Sequence, residues 1–142
     1  MSTRILIVDD HEIVRSGLRR VVERQSSWEV CGEAVNGKEA IEKALALNPD
    51  LVLMDISMPV MSGIEATRQI RRLSPVTKMV IVSLHDNESI TAEAKNAAAD
   101  AYVVKACHSE ILLKTIAAVL GEGQRPARGP RLTRRATGNP SD

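Results

Sequence analysis

Five residues of three chemical kinds stand directly after short apolar runs: Asp9 and Asp10, Asp55, Ser83 and Lys105. Taken singly, each has an ordinary structural use. Asp9-Asp10 suits the cap and first turn of a helix, Asp55 a loop cap, Ser83 a turn hydroxyl, and Lys105 a solvated surface. Taken together, they bring three carboxylates, a hydroxyl and an ammonium to the ends of successive strands. The carboxyl ends of parallel strands share one rim, where ligands bind at the switch in strand order. Clustered carboxylates raise one another's pKa values unless a cation intervenes. An all-oxygen donor set suits a hard divalent ion, with Mg²⁺ the abundant choice. A carboxylate beside such an ion can attack phosphorus and form an acyl phosphate. Mg²⁺, Lys105 and backbone N–H groups would neutralise the equatorial oxygens of the transferred group, and Ser83 would donate to another. This chemistry is positioning and electrostatics, with no separate general base.

The elements that must hold these groups show in the periodicity. Residues 5–8, 51–54, 79–82 and 102–104 are continuously apolar, the pattern of strands buried on both faces of a parallel sheet. Residues 29–35 form a weaker run broken by Gly32 and Glu33, which reads as an edge strand. Ile13, Val14, Leu18, Val21 and Val22 recur at helical spacing after Asp10. Asn36 and Ser62 each precede a Glu by three residues, a capping-box opening for the second and third helices. Asp86 or Asn87 would cap a helix over 90–98, and His108 or Ser109 one over 111–120. Five βα units in succession predict an α/β fold, a doubly wound parallel sheet with right-handed crossovers.

The chain of 142 residues, 44% hydrophobic and 26% charged, is sized for one domain with a short appendage. Its net charge of +1 is unevenly placed: residues 121–142 carry five Arg against Glu122 and Asp142. The remainder is slightly acidic, which argues against direct DNA binding by the folded part. The same 22 residues hold four Gly and three Pro, with Leu132 the only large aliphatic residue. The reading is a folded domain over 1–120 and a flexible Arg/Gly/Pro-rich tail or linker over 121–142. Nonspecific phosphate binding by the five Arg is the less favoured use of that tail. Cys31 and Cys107, without metal-ligand spacing, read as reduced thiols. No run has the length of a signal peptide core or a membrane span, so a cytoplasmic protein with no membrane partner is expected.

At this point the wording of the motifs matters. Ile5-Leu-Ile-Val-Asp-Asp-His11, Leu53-Met-Asp-Ile-Ser-Met-Pro-Val-Met-Ser-Gly63, Val82-Ser-Leu-His85 and Ala101-Tyr-Val-Val-Lys105 closely resemble the receiver domain of bacterial two-component response regulators. The Asp-Asp-His and Asp-Ile-Ser-Met-Pro wording looks most like the NarL/FixJ subfamily, with its LuxR-type helix-turn-helix output. Spacings of 45 residues from Asp10 to Asp55, 28 to Ser83 and 22 to Lys105 fit the family. The resemblance implies a flavodoxin-like fold with strand order 2-1-3-4-5 and five helices. It makes Asp55 the phosphoacceptor for a histidine kinase. Asp10, Asp55 and the Ser57 backbone carbonyl become Mg²⁺ ligands, with Asp9 acting mostly through water. Lys105 pairs with the phosphoryl group, Ser83 is the switch hydroxyl and Tyr102 the aromatic that follows it. Ser57 and His85 tune dephosphorylation, while Pro59 and Gly63 shape the adjoining loop. A homodimer on phosphorylation and control of transcription are the implied consequences, with Trp28 fluorescence as a reporter.

Three departures from the family pattern stand out. Ala106 replaces the Pro often found after the Lys, and Ala98 stands where Gly is usual before the fifth strand. Leu132-Thr-Arg-Arg135 resembles the opening of a LuxR-type DNA-binding domain, but the seven residues after it cannot build one. Such a receiver accepts phosphate on itself and turns over no outside substrate, so it is not an enzyme. The alternative from another class is a pseudo-receiver acting only as a protein-interaction module, against which the complete set of five site residues argues. An aspartyl phosphatase would want a second Asp where Ser57 stands, and a flavin carrier a hydroxyl- and Gly-rich loop in place of Asp-Asp-His.

Overall fold

The computed structural model describes residues 2–84, 88–105 and 109–121. Strands β1 (Thr3–Val8), β2 (Trp28–Ala34), β3 (Leu51–Asp55), β4 (Lys78–Ser83) and β5 (Ala101–Val104) alternate with five helices. These are α1 (Glu12–Val22), α2 (Gly37–Leu47), α3 (Gly63–Leu73), α4 (Glu88–Asn96) and α5 (Ser109–Leu120). All four strand pairings are parallel, in the order β2-β1-β3-β4-β5.

Each central strand is apolar throughout because both of its faces are covered. Ile5 and Ile7 pack with Leu51, Leu53, Val80 and Val82 beneath Val22, Leu112 and Ile116 of α1 and α5. Leu6 and Val8 face the other way, with Val52, Met54 and Met79, against Ala40 and Ala44 of α2 and Ala66 and Ile70 of α3. A third cluster, Ile56, Ile64, Ile81, Ala94 and Ala97, seats α4 and receives Tyr102. The weak run is indeed the edge strand. There the register slips between Ile5/Val30 and Leu6/Gly32, leaving Cys31 unmatched in a bulge.

Several helix starts differ from their expected positions. The N-cap of α1 is His11 rather than Asp9 or Asp10, because the Asp9 side chain turns into the rim. Ser109 lies inside the first turn of α5, so it is not the cap. Helix α4 ends at Asn96, two residues short of the expected 98, because Ala98 takes the left-handed conformation at φ 69. Asn36 and Ser62 do cap their helices, accepting from the N–H groups of Glu39 and Glu65. The return bond of the α2 box comes one residue early, Val35 N–H donating to Glu39. Asp86, Asn87, His108, the Lys105–Ala106 junction and the tail beyond residue 121 lie outside the described residues.

Candidate phosphoacceptor site

The pocket is assembled by strand ends. β1 delivers Asp9 fully buried, with Asp10 beside it, and β3 ends on Asp55, which is 5% exposed. β4 ends on the buried Ser83, whose carbonyl accepts from Lys105 N–H at 2.6 Å and so ties the end of β5 to that of β4. The Lys105 ammonium then reaches across the rim to Asp9 Oδ2 at 2.7 Å and Asp55 Oδ1 at 3.0 Å.

Asp9 is held on every side. Its Oδ1 accepts from the His11 N–H at 2.9 Å, its N–H donates to the Ala34 carbonyl at 3.1 Å, and its own carbonyl accepts from Arg15 Nη1 at 2.7 Å. The His11 ring sits with Nδ1 3.2 Å from Oδ1 of both Asp9 and Asp10. Asp9, Asp10 and His11 form a group whose ligand atoms are close enough to share one metal ion. Asp10 Oδ1 is buried, and its one close contact among the described residues is the His11 ring nitrogen at 3.2 Å, with no well-aligned hydrogen bond. A buried carboxylate oxygen without a donor is costly unless a cation compensates it. The donor set therefore fits a hard divalent ion.

The electrostatics follow from this crowding. Burial, then the negative charges of Asp9 and Asp10, push the Asp55 carboxyl above its ordinary range, although Lys105 pulls the other way. Burial alone would lower the Lys105 ammonium, but hydrogen bonds and charge from Asp9 and Asp55 outweigh it, and the net shift is upward. One cation shared by two carboxylates leaves the pocket acidic.

The loop after β3 is shaped by close approaches. A Cβ on Gly63 would lie 1.8 Å from the Asp55 carbonyl oxygen, so no other residue fits without moving the acceptor's own backbone. Gly63 N–H also closes the loop on the Ile56 carbonyl at 2.9 Å. Within it, Met61 N–H donates to the Pro59 carbonyl across Val60, a γ-turn with φ 72. Ser57 is exposed beside this loop.

The structure thus gathers Asp9, Asp10, Asp55, Ser83 and Lys105 at one rim. Tyr102 packs under α4, directly across from Ile81 on β4. His85 lies outside the described residues. Trp28 is buried at the start of β2, paired with Thr3 at the opposite edge of the sheet, a poor place for a reporter of the rim. His11 and Arg15 were not assigned roles from the sequence. His11 stood in a quoted motif, whereas Arg15 carries no local signal beyond its place on a helix.

A doubly wound sheet of this order, with an acidic pocket and a bridging lysine at its carboxyl edge, defines a CheY-like fold. The description "Response regulator receiver domain" matches residues 5–117, and the chain belongs to that family. It is 43% identical over 105 residues to the response regulator protein VraR of Staphylococcus aureus, covering 74% of this chain and 50% of that one. It is 33% identical over 120 residues to the transcriptional regulatory protein DegU of Brevibacillus brevis, covering 84% and 51%. Among solved structures, a LuxR-family two-component response regulator from Aurantimonas is similar with a TM-score of 0.82 at 37% identity, over 85% of this chain and 86% of that one. The chain spans about half the length of the curated relatives it matches. None of the described helices is long and apolar enough to cross a membrane.

Proposed function

We propose that this receiver takes a phosphoryl group from a histidine kinase onto Asp55 and thereby switches an output, transcription being the one that the name of its relative DegU supports. The observation that carries this reading is the Lys105 ammonium bridging Asp9 and Asp55 beside the buried Asp10 carboxylate oxygen. Asp10, Asp55 and the Ser57 carbonyl would hold Mg²⁺, with Asp9 acting mostly through water. The ion, when bound, supplies positive charge against the phosphoryl oxygens.

Lys105 engages Asp55 Oδ1, which leaves Oδ2 to attack phosphorus. As the O–P bond forms, the bond from phosphorus to the kinase imidazole nitrogen breaks, and its electron pair stays on the ring. Lys105 then exchanges carboxylate for phosphoryl oxygen without changing charge. Ser83 donates to a further phosphoryl oxygen, and Tyr102, on the neighbouring strand and packed against the α4 cluster, follows it inward. Ser57 and His85 adjust how readily water reaches the acyl phosphate. The domain consumes one phosphodonor per event and has no outside substrate, so it is a switch rather than an enzyme. Homodimerisation on phosphorylation, no DNA contact by the receiver itself, and a cytoplasmic site of action complete the reading.

The test is phosphate incorporation from a small phosphodonor such as acetyl phosphate with Mg²⁺. Asp55→Asn should abolish labelling while the circular dichroism and melting of the domain stay native. Labelling of that variant at a comparable rate would overturn the assignment.

A further inference from the structure

The acidic half of the pocket is held in place from outside by a residue that touches neither Asp55 nor the bridging lysine. Arg15, on α1, keeps only 13% of its side chain exposed, well below what a solvated arginine shows. Its guanidinium is divided between two acceptors that lie in different directions. Nη1 donates to the Asp9 carbonyl at 2.7 Å, and Nε donates to Glu33 Oε1 at 2.8 Å. Glu33 is itself fixed: Oε2 accepts from Arg19 Nε at 3.0 Å and Nη2 at 2.7 Å, and the Glu33 carbonyl accepts from Lys43 on α2. Glu33 stands on β2 opposite Ile7, one register step before the Val8–Ala34 pair. The run of contacts therefore passes from the edge strand, through Arg15, to the main chain of the first pocket carboxylate.

That carbonyl needs such a partner. β1 ends at Val8, so the Asp9 carbonyl is one residue beyond the strand as its side chain turns into the rim. Its own N–H is tied to Ala34, and Arg15 supplies the opposing tether. With both main-chain groups fixed, the Asp9 carboxylate has little freedom beyond its χ angles, and the adjacent Asp10 peptide is fixed with it. We infer that Arg15, anchored by Glu33, is a positioning residue that sets the backbone of Asp9 and Asp10 for the divalent ion. The inference rests on the reading of the rim as a metal-dependent phosphoacceptor site. Groups that orient ligands from behind typically change metal affinity by about 10- to 100-fold when removed.

The experiment is a Mg²⁺ titration of the whole chain followed by the amide NMR shifts of residues 9–11, with thermal melting measured alongside. Arg15→Met should weaken Mg²⁺ binding by about tenfold or more. Arg15→Lys should recover only part of that loss, because one ammonium cannot serve both acceptors as the forked guanidinium does. Native Mg²⁺ affinity in folded Arg15→Met, even with a lowered melting temperature, overturns the inference. Should Arg15→Met not fold, Glu33→Gln, which weakens the anchor, must still reduce Mg²⁺ affinity severalfold; wild-type affinity there overturns it equally. Failure of the folded wild type to bind Mg²⁺ at all would sink the phosphoacceptor reading with it, whereas normal wild-type binding with an indifferent Arg15 sinks the inference alone.

Discussion

Lys105 carries more of this site than any other single side chain, because it is the one cation that the described pocket places between Asp9 and Asp55. Removing it leaves three carboxylates facing one another and takes away the charge that would meet the incoming phosphoryl oxygens. Lys105→Ala should slow phosphate incorporation on the order of a hundredfold, the typical cost of losing one preorganised group that stabilises developing charge. Any phosphorylated fraction should give little activated-state signal, read as amide shifts around Ser83 and Tyr102 with beryllofluoride and Mg²⁺. A normal signal in that variant would count against the charge clamp. At this scale the sequence was informative about residue type. Acids, hydroxyl and ammonium after apolar runs identify themselves because little else in those runs is polar. His11 and Arg15 were harder to read, since an exposed histidine and a helix arginine look alike whether they face solvent or a pocket. Only the fold shows that Arg15 turns inward to the Asp9 carbonyl.

At the scale of elements, the loop geometry makes two opposite glycine predictions. Gly63 opens α3 so close to the Asp55 carbonyl that any Cβ must displace backbone. Gly63→Ala should therefore cost roughly 3 kcal/mol or more in chemical denaturation, through forced overpacking, and should lower phosphate incorporation because the acceptor moves. Ala98 is the reverse case. It ends the turn after α4 at φ 69, where an L-residue is strained and glycine is not. Ala98→Gly should stabilise the fold by about 0.5–1 kcal/mol, the relief of strain less the extra entropy glycine loses on folding. The residue type at 98 was legible in the sequence as a departure, but the early end of α4 was not. Alanine is a strong helix former, so the pattern runs on through 98, whereas the helix closes at Asn96 and the backbone turns left-handed at Ala98. Strand identities were secure for a different reason: with helices on both faces, every side chain of β3 is buried, and the apolar run is unbroken.

Across the whole molecule, the two edges of the sheet use charge in contrasting ways. At the amino edge, acids serve as closed structural ties. Asp50 accepts from the Arg4 N–H at 2.8 Å, and Asp100 accepts from the Met79 N–H at 2.7 Å while pairing with Arg71. At the carboxyl edge, three acids meet a single ammonium among the described residues, which is the signature of a binding site rather than a brace. Glu33 belongs with the braces although it lies near the pocket, and its titration gives the molecule a testable acid response. Hydrogen bonds from Arg19 lead the causes that hold its carboxyl below the ordinary range, with Arg15 adding to them against the opposing effect of burial. A carboxyl lowered on folding stabilises the native state above its unfolded value, near 4.3 for Glu, and that contribution is lost as pH falls through the lowered native value. Asp55, raised on folding, works in the opposite sense, its contribution falling away as pH rises past the unfolded value. Urea denaturation of wild type and Glu33→Gln from pH 6 to pH 3 separates the two, because Asp55 is common to both. Wild type should be the more stable at pH 6 by a few tenths to about 1 kcal/mol, the scale of a partly solvated ion pair. The difference should shrink below about pH 4 as Glu33 protonates. A gap that stays constant or widens toward pH 3 would mean that Glu33 does not carry the charge tying α1 to the edge strand.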